Sequence, residues 1–144
     1  MYRSERVRDL SRCTKELRAH RWLLLFRPKG RKWGGGQAFR FAENNQVIKL
    51  SAPFYGTGPD TKAEAARINS PVYGFYGGND NRVDATIPKT KEVMKEAGKT
   101  YEPVIYDGAG HGFMRAGEAP DANAANKKAR DEAWKRLVEK LKSI

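Results

Sequence analysis

The sequence predicts an α/β domain in which a mostly parallel sheet lies between layers of helices, and three observations predict it. From residue 34 onward, short apolar runs alternate with amphipathic helical stretches. The two clearest runs, SPVYGFYG at 70–77 and YEPVIY at 101–106, are separated by a helix-period segment rather than a hairpin turn, so they need a crossover and run parallel. Asp80 and His111 lie in glycine-punctuated loops directly after those runs, where parallel sheets carry their functional groups.

Each element has its own signals. Residues 34–44 (GGGQAFRFAEN) put Ala38, Phe39 and Ala42 on one stripe and end at the Asn44-Asn45 pair, which predicts a helix entered through a glycine turn. Residues 47–50 read as a buried strand running into the loop SAPFYG at 51–56, and 57–64 read as polar turn. The 70–77 run has Pro71 at its start and Gly77-Gly78-Asn79 at its end, which fits a central strand. Thr86 is the expected cap of a helix with Pro88 in its first turn, Val93, Met94 and Ala97 as its buried stripe and Gly98 as its terminator. After the 101–106 strand and a loop over 107–113, Asp121 is the expected cap of a last helix. In that helix Ala125, Ala129, Ala133, Leu137 and Leu141 recur every four residues.

The first 32 residues differ in kind. Residues 1–40 hold 12 Lys/Arg against 3 Asp/Glu, whereas 41–144 hold 16 against 14, so the net charge of +11 belongs mostly to one end. Beyond a short helix expected over 4–17, this segment has no clean period. The longest apolar run, 22–26, is five residues between Arg21 and Arg27, too short for a membrane span or a signal-peptide core, and acidic residues interrupt any resemblance to a transit peptide. The cytoplasm is therefore the default location, and no membrane partner is expected. Cys13 cannot form an intramolecular disulfide and reads as a free surface thiol; His20 reads as an exposed residue of the basic segment. One cysteine and two histidines give no zinc cluster, and the glycines at 34–36 lack phosphate-loop and dinucleotide spacing, so neither a metal nor a cofactor is expected.

The order aspartate then histidine suits a carboxylate that orients an imidazole base. The nucleophile should lie upstream on a strand-to-helix elbow written Gly-x-nucleophile-x-Gly, and Gly30-Arg31-Lys32-Trp33-Gly34 has that spacing. Lys32 stands 48 positions before Asp80, and Asp80 stands 31 before His111, room enough for the intervening strand and helix units. Lysine, however, offers neither hydroxyl nor thiol.

These segments, WGGGQAFRFA at 33–42, APFYG at 52–56, PVYGFYGGND at 71–80, IYDGAGHGF at 105–113 and Ala133-Trp134, together resemble the C-terminal half of the dienelactone hydrolase family, over about residues 33–144. The resemblance implies a partial α/β-hydrolase-like three-layer sandwich lacking the N-terminal half of that fold. It also implies a small-molecule ester or lactone substrate, attacked in the family by a cysteine at the Lys32 position. It further implies that Asp80 and His111 complete the triad, that the backbone N–H of Trp33 helps hold the oxyanion, and that Arg115 pairs with a substrate carboxylate. Residues 1–32 have no family counterpart. An arginine-rich, period-less segment joined abruptly to a coherent one is what a displaced reading frame or misassigned start would produce.

The resulting expectation is hydrolase ancestry with little or no esterase activity, because Lys32 occupies the nucleophile position. The alternative is a non-catalytic interaction module whose arginine-rich start binds an anionic partner. Nucleic acid is not the expected partner, since no aromatic stacking platform is interleaved with the basic residues. Self-association is expected through a sheet edge that the family's first half would cover.

Overall fold

A computed structural model describes residues 34–144. The expectations placed on 1–33, including the 4–17 helix, the 22–26 run, Cys13, His20, Lys32 and Trp33, lie outside the described residues.

Helix α1 (Gly34–Asn44) buries Ala38, Phe39 and Ala42, the stripe its sequence sets out. The chain leaves it through asparagine side chains: Asn44 Nδ2 donates to Arg40 O at 2.7 Å, and Asn45 Oδ1 accepts from Val47 N–H at 3.1 Å. The strand expected at 47–50 does not form there, and Val47 is more than half exposed. Pairing begins one step later. Ser51 N–H donates to Pro71 O, Tyr73 N–H to Ser51 O, Phe75 N–H to Pro53 O and Tyr55 N–H to Phe75 O, each at 2.9–3.0 Å. This is a parallel ladder in which the missing N–H of Pro53 deletes the bond due between the second and third of these donors. It therefore survives as two isolated bridges, Ser51 to Val72 and Phe54 to Phe75, rather than as a continuous strand.

Helix α2 (Lys62–Ala66) occupies part of what reads as polar turn. Thr61 Oγ1 accepts from Glu64 N–H, while the Glu64 carboxylate accepts from Asp60 N–H, both at 3.3 Å, a capping-box arrangement that stabilises even five residues. Strand β1 (Val72–Gly77) follows, then the single turn α3 (Asn81–Asp84), helix α4 (Ile87–Glu96) and strand β2 (Tyr101–Tyr106). Thr86 occupies the N-cap position of α4 but makes no side-chain cap bond; its hydroxyl donates to Val83 O at 2.7 Å and so closes the preceding turn. At the other end of α4, Gly98 at φ +67° lets Lys99 N–H reach Met94 O and its own N–H reach Lys95 O, the Schellman closure.

β1 and β2 are parallel with Val72 opposite Tyr101 and Gly77 opposite Tyr106. Val72 N–H donates to Thr100 O and Gly78 N–H to Tyr106 O, so the even-numbered residues of β2 carry its bonds to β1. Pro103 accordingly turns its donorless nitrogen to the outer edge, where proline does no harm to the ladder. The short turn α5 (Phe113–Ala116) and the long helix α6 (Ala124–Lys142) complete the chain. Asn123, not Asp121, caps α6: its Oδ1 accepts from Asn126 N–H at 2.8 Å.

Alternation along β1 sorts the two faces of the sheet. Tyr73 and Phe75 face α6, packing with Leu50, Ala52, Tyr106, Phe113 and the α6 stripe Ala129, Ala133, Leu137 and Leu141. Val72 faces the other way, against Phe39 and Ala42 of α1, Val93 and Met94 of α4, and Ile48, Ala65 and Ile68. Helix, sheet and helix thus form three layers. Arg136 spans α6 and the sheet, donating to Gly74 O at 3.0 Å and Glu102 O at 2.7 Å with its guanidinium over the Phe75 ring.

Candidate functional site

The loops after β1 and β2 are joined backbone to backbone. Gly78 N–H donates to Tyr106 O and Asn79 N–H to Ala109 O, both at 2.9 Å, and Asn79 Nδ2 donates to Gly108 O at 3.0 Å. Such approach needs Gly77, because a Cβ there would lie 2.6 Å from both Ala109 O and Gly110 O. From the far side, Asn126 Oδ1 of α6 accepts from Gly110 N–H at 3.0 Å. Gly112, at φ +80°, turns the chain directly after His111.

The consequence is that Asp80 and His111 meet: the Asp80 Oδ2 and His111 Nδ1 atoms are hydrogen-bonded. An ionised carboxylate only accepts, so Nδ1 carries the proton and the neutral ring keeps a lone pair on Nε2. Burial differs between the two groups: the Asp80 side chain is 9% exposed and that of His111 is 37% exposed. The carboxylate is thus the buried member of the pair and the imidazole the more open one. Asp84, close enough in sequence to be mistaken for the acid, makes no bond to His111. Its Oδ1 is buried without a partner, and desolvation together with the charge of Asp80 raises its carboxyl above the ordinary range.

Arg115 is exposed on α5, four residues past His111, and makes no ion pair among the described residues. Lys32 and Trp33 are not described, but the start of α1, into which they lead, is. A Cβ on Gly35 would fall 2.2 Å from Phe54 O and 2.3 Å from Gly56 N, so the first turn of α1 rests on the loop at 54–56. That loop carries Tyr55, whose ring lies 5.3 Å from the His111 imidazole. The beginning of α1, the acid and the histidine are therefore gathered at one end of the sheet.

Tyr55 was not foreseen as a site residue. Its phenol accepts from Met114 N–H at 2.9 Å, its ring meets Phe113 edge-on at 5.1 Å, and burial raises its hydroxyl well above the ordinary tyrosine range. The only hint in the sequence is an aromatic-glycine pair ending an apolar run, a pattern too common to single it out.

A parallel sheet between helix layers, with an acid and then a histidine in the loops after successive strands, is the arrangement of α/β-hydrolases. The model of the dienelactone hydrolase family matches residues 30–144, and the chain belongs to that family. Among its relatives is a Methylorubrum extorquens protein named carboxymethylenebutenolidase, 35% identical over 115 residues, covering 73% of this chain and 38% of the relative. Another of the same name, from Saccharolobus solfataricus, is 31% identical over 111 residues, covering 77% and 41%. A Klebsiella pneumoniae structure named as a dienelactone hydrolase shares the fold with a TM-score of 0.65 at 24% identity, over 78% of this chain and 49% of that one. The chain thus spans about two-fifths of the length of these curated relatives.

Proposed function

We propose that Asp80 and His111 are the acid and base of a dienelactone hydrolase-type triad whose nucleophile position is held by Lys32, so that the chain retains the proton-transfer half of an ester- or lactone-cleaving site with little or no turnover. The observation that supports this reading is the bond between His111 Nδ1 and Asp80, with Nε2 making no hydrogen bond among the described residues.

In a complete site the imidazole takes the nucleophile's proton, the thiolate adds to the carbonyl, and donors at the start of the following helix hold the oxyanion. Here Asp80 fixes the ring and His111 Nε2 can accept a proton. The backbone N–H of Trp33 would serve as oxyanion donor and Arg115 as the clamp on a substrate carboxylate. A lysine amine that remains protonated cannot make the first attack, and loss of a triad nucleophile removes several orders of magnitude of rate. On this reading residues 33–144 are the family half-domain, residues 1–32 are a basic segment outside the family pattern, and the sheet edge at 51–55, paired among the described residues on its β1 side only, is where copies associate.

Hydrolysis of p-nitrophenyl acetate tests the proposal. The wild type and His111→Ala should give the same background rate, while Lys32→Cys should gain turnover that disappears again in Lys32→Cys/His111→Ala. Wild-type turnover lost in His111→Ala would overturn the inactive reading. A Lys32→Cys gain indifferent to His111 would overturn the base assignment.

A further inference from the structure

We propose that Tyr55 is a positioning residue for His111, holding the imidazole in the orientation in which Nδ1 meets Asp80. The proposal rests on the reading of Asp80 and His111 as an acid–base pair and adds the side chain that supports the imidazole.

Three observations converge on Tyr55. It is the one non-glycine residue at positive φ among the described residues, at +56°, a conformation L residues with bulky side chains seldom adopt. Such strain persists where surrounding contacts over-determine it. Those contacts are present. Tyr55 N–H is fixed to Phe75 O at 3.0 Å, its hydroxyl accepts from Met114 N–H at 2.9 Å, and Gly56 beside it is locked against the backbone of Gly35. The left-handed turn aims the ring away from the sheet ladder and across to the His111 loop. There it lies 5.3 Å from the imidazole at a 49° tilt and 5.1 Å from Phe113, edge-on.

The geometry divides the work. Asp80 grips one edge of the imidazole, Tyr55 supports the ring, and the Met114 bond keeps the start of α5 from carrying His111 away. Because Gly56 also touches the first turn of α1, the loop that carries Tyr55 links that turn to the histidine.

The ratio of the two neutral imidazole tautomers, read from ring ¹⁵N shifts in a long-range ¹H–¹⁵N spectrum above pH 8, tests this directly. His20→Gln removes the other histidine signal, since the chain has two. In that background the Nδ1–H form should dominate. Tyr55→Leu, which removes ring and hydroxyl, should lower the Nδ1–H to Nε2–H ratio severalfold, toward the about tenfold that losing the Asp80 bond outright would give. Tyr55→Phe, which keeps the ring, should lower it less and, as the conservative change, guards against a variant that fails to fold. A ratio unchanged in both variants would overturn the positioning role and leave Tyr55 a structural residue. Asp80→Ala, which removes the acceptor, is the separate arm: if it leaves the ratio unchanged, the acid–base pair itself fails, whatever Tyr55 does.

Discussion

Gly77→Ala would force apart the two loops that carry Asp80 and His111. The added Cβ would lie 2.6 Å from Ala109 O and from Gly110 O and 2.9 Å from Gly110 C, all backbone atoms that no rotamer change can move. Restoring ordinary contact requires the His111 loop to retreat by about 0.8 Å, because such contacts begin near 3.4 Å. The bond from Asn79 N–H to Ala109 O, now 2.9 Å, would then open beyond hydrogen-bonding range. Overpacking of this kind costs about 1–3 kcal/mol, and the lost bond adds about 1 kcal/mol. The expected destabilisation is therefore roughly 2–4 kcal/mol, or a fall in Tm of about 8–16 °C at roughly 4 °C per kcal/mol. Circular dichroism melting and urea titration measure it. Gly110→Ala is the matched control in the same loop: a Cβ there meets nothing within 4 Å, so its effect should stay within about 0.5 kcal/mol. A Gly77→Ala protein melting within about 2 °C of wild type would refute the claim that backbone contact between these loops sets the site.

Two further perturbations probe other levels. Asn123→Ala should cost about 1 kcal/mol through loss of the α6 cap, whereas Asp121→Ala should be nearly neutral; equal losses in denaturant titrations would contradict the observed capping. Asp84 gives a pH signature. Its folded-state pKa is raised by burial and by Asp80, so its stabilising contribution is complete below the ordinary value of 3.8 and is lost as pH rises through the raised value. Asp84→Asn should melt above wild type at pH 7, the gap closing toward pH 3; a gap that does not change with pH would refute the assignment.

How much could be read in the sequence differs from residue to residue. The stripes Ala38, Phe39 and Ala42 in α1 and Ala129, Ala133, Leu137 and Leu141 in α6 could be read because helical period is a local property and each stripe found a face of the sheet. Caps could not be ranked, since Asp121 and Asn123 are both competent and only the entry angle of α6 chooses between them. Thr86 likewise has the right chemistry and the right position, but its hydroxyl bonds Val83 O instead of a helix donor. The 47–50 strand was displaced because Ile48 and Leu50 are buried in separate clusters, while the backbone pairing with β1 starts at Ser51.

The sequence by itself determined the order of the main elements α1, β1, α4, β2 and α6, the family and the candidate acid and histidine, because alternation, glycine punctuation and motif spacing are written along the chain. Only the tertiary structure decided that Asp80 rather than Asp84 meets His111, and that Tyr55 stands between the histidine and the start of α1. The reason is physical: a hydrogen bond joining residues 31 positions apart depends on strand register and on close backbone contact between two loops. A left-handed tyrosine, in turn, is tolerated only when distant groups such as Phe75 O and Met114 N–H hold it in place.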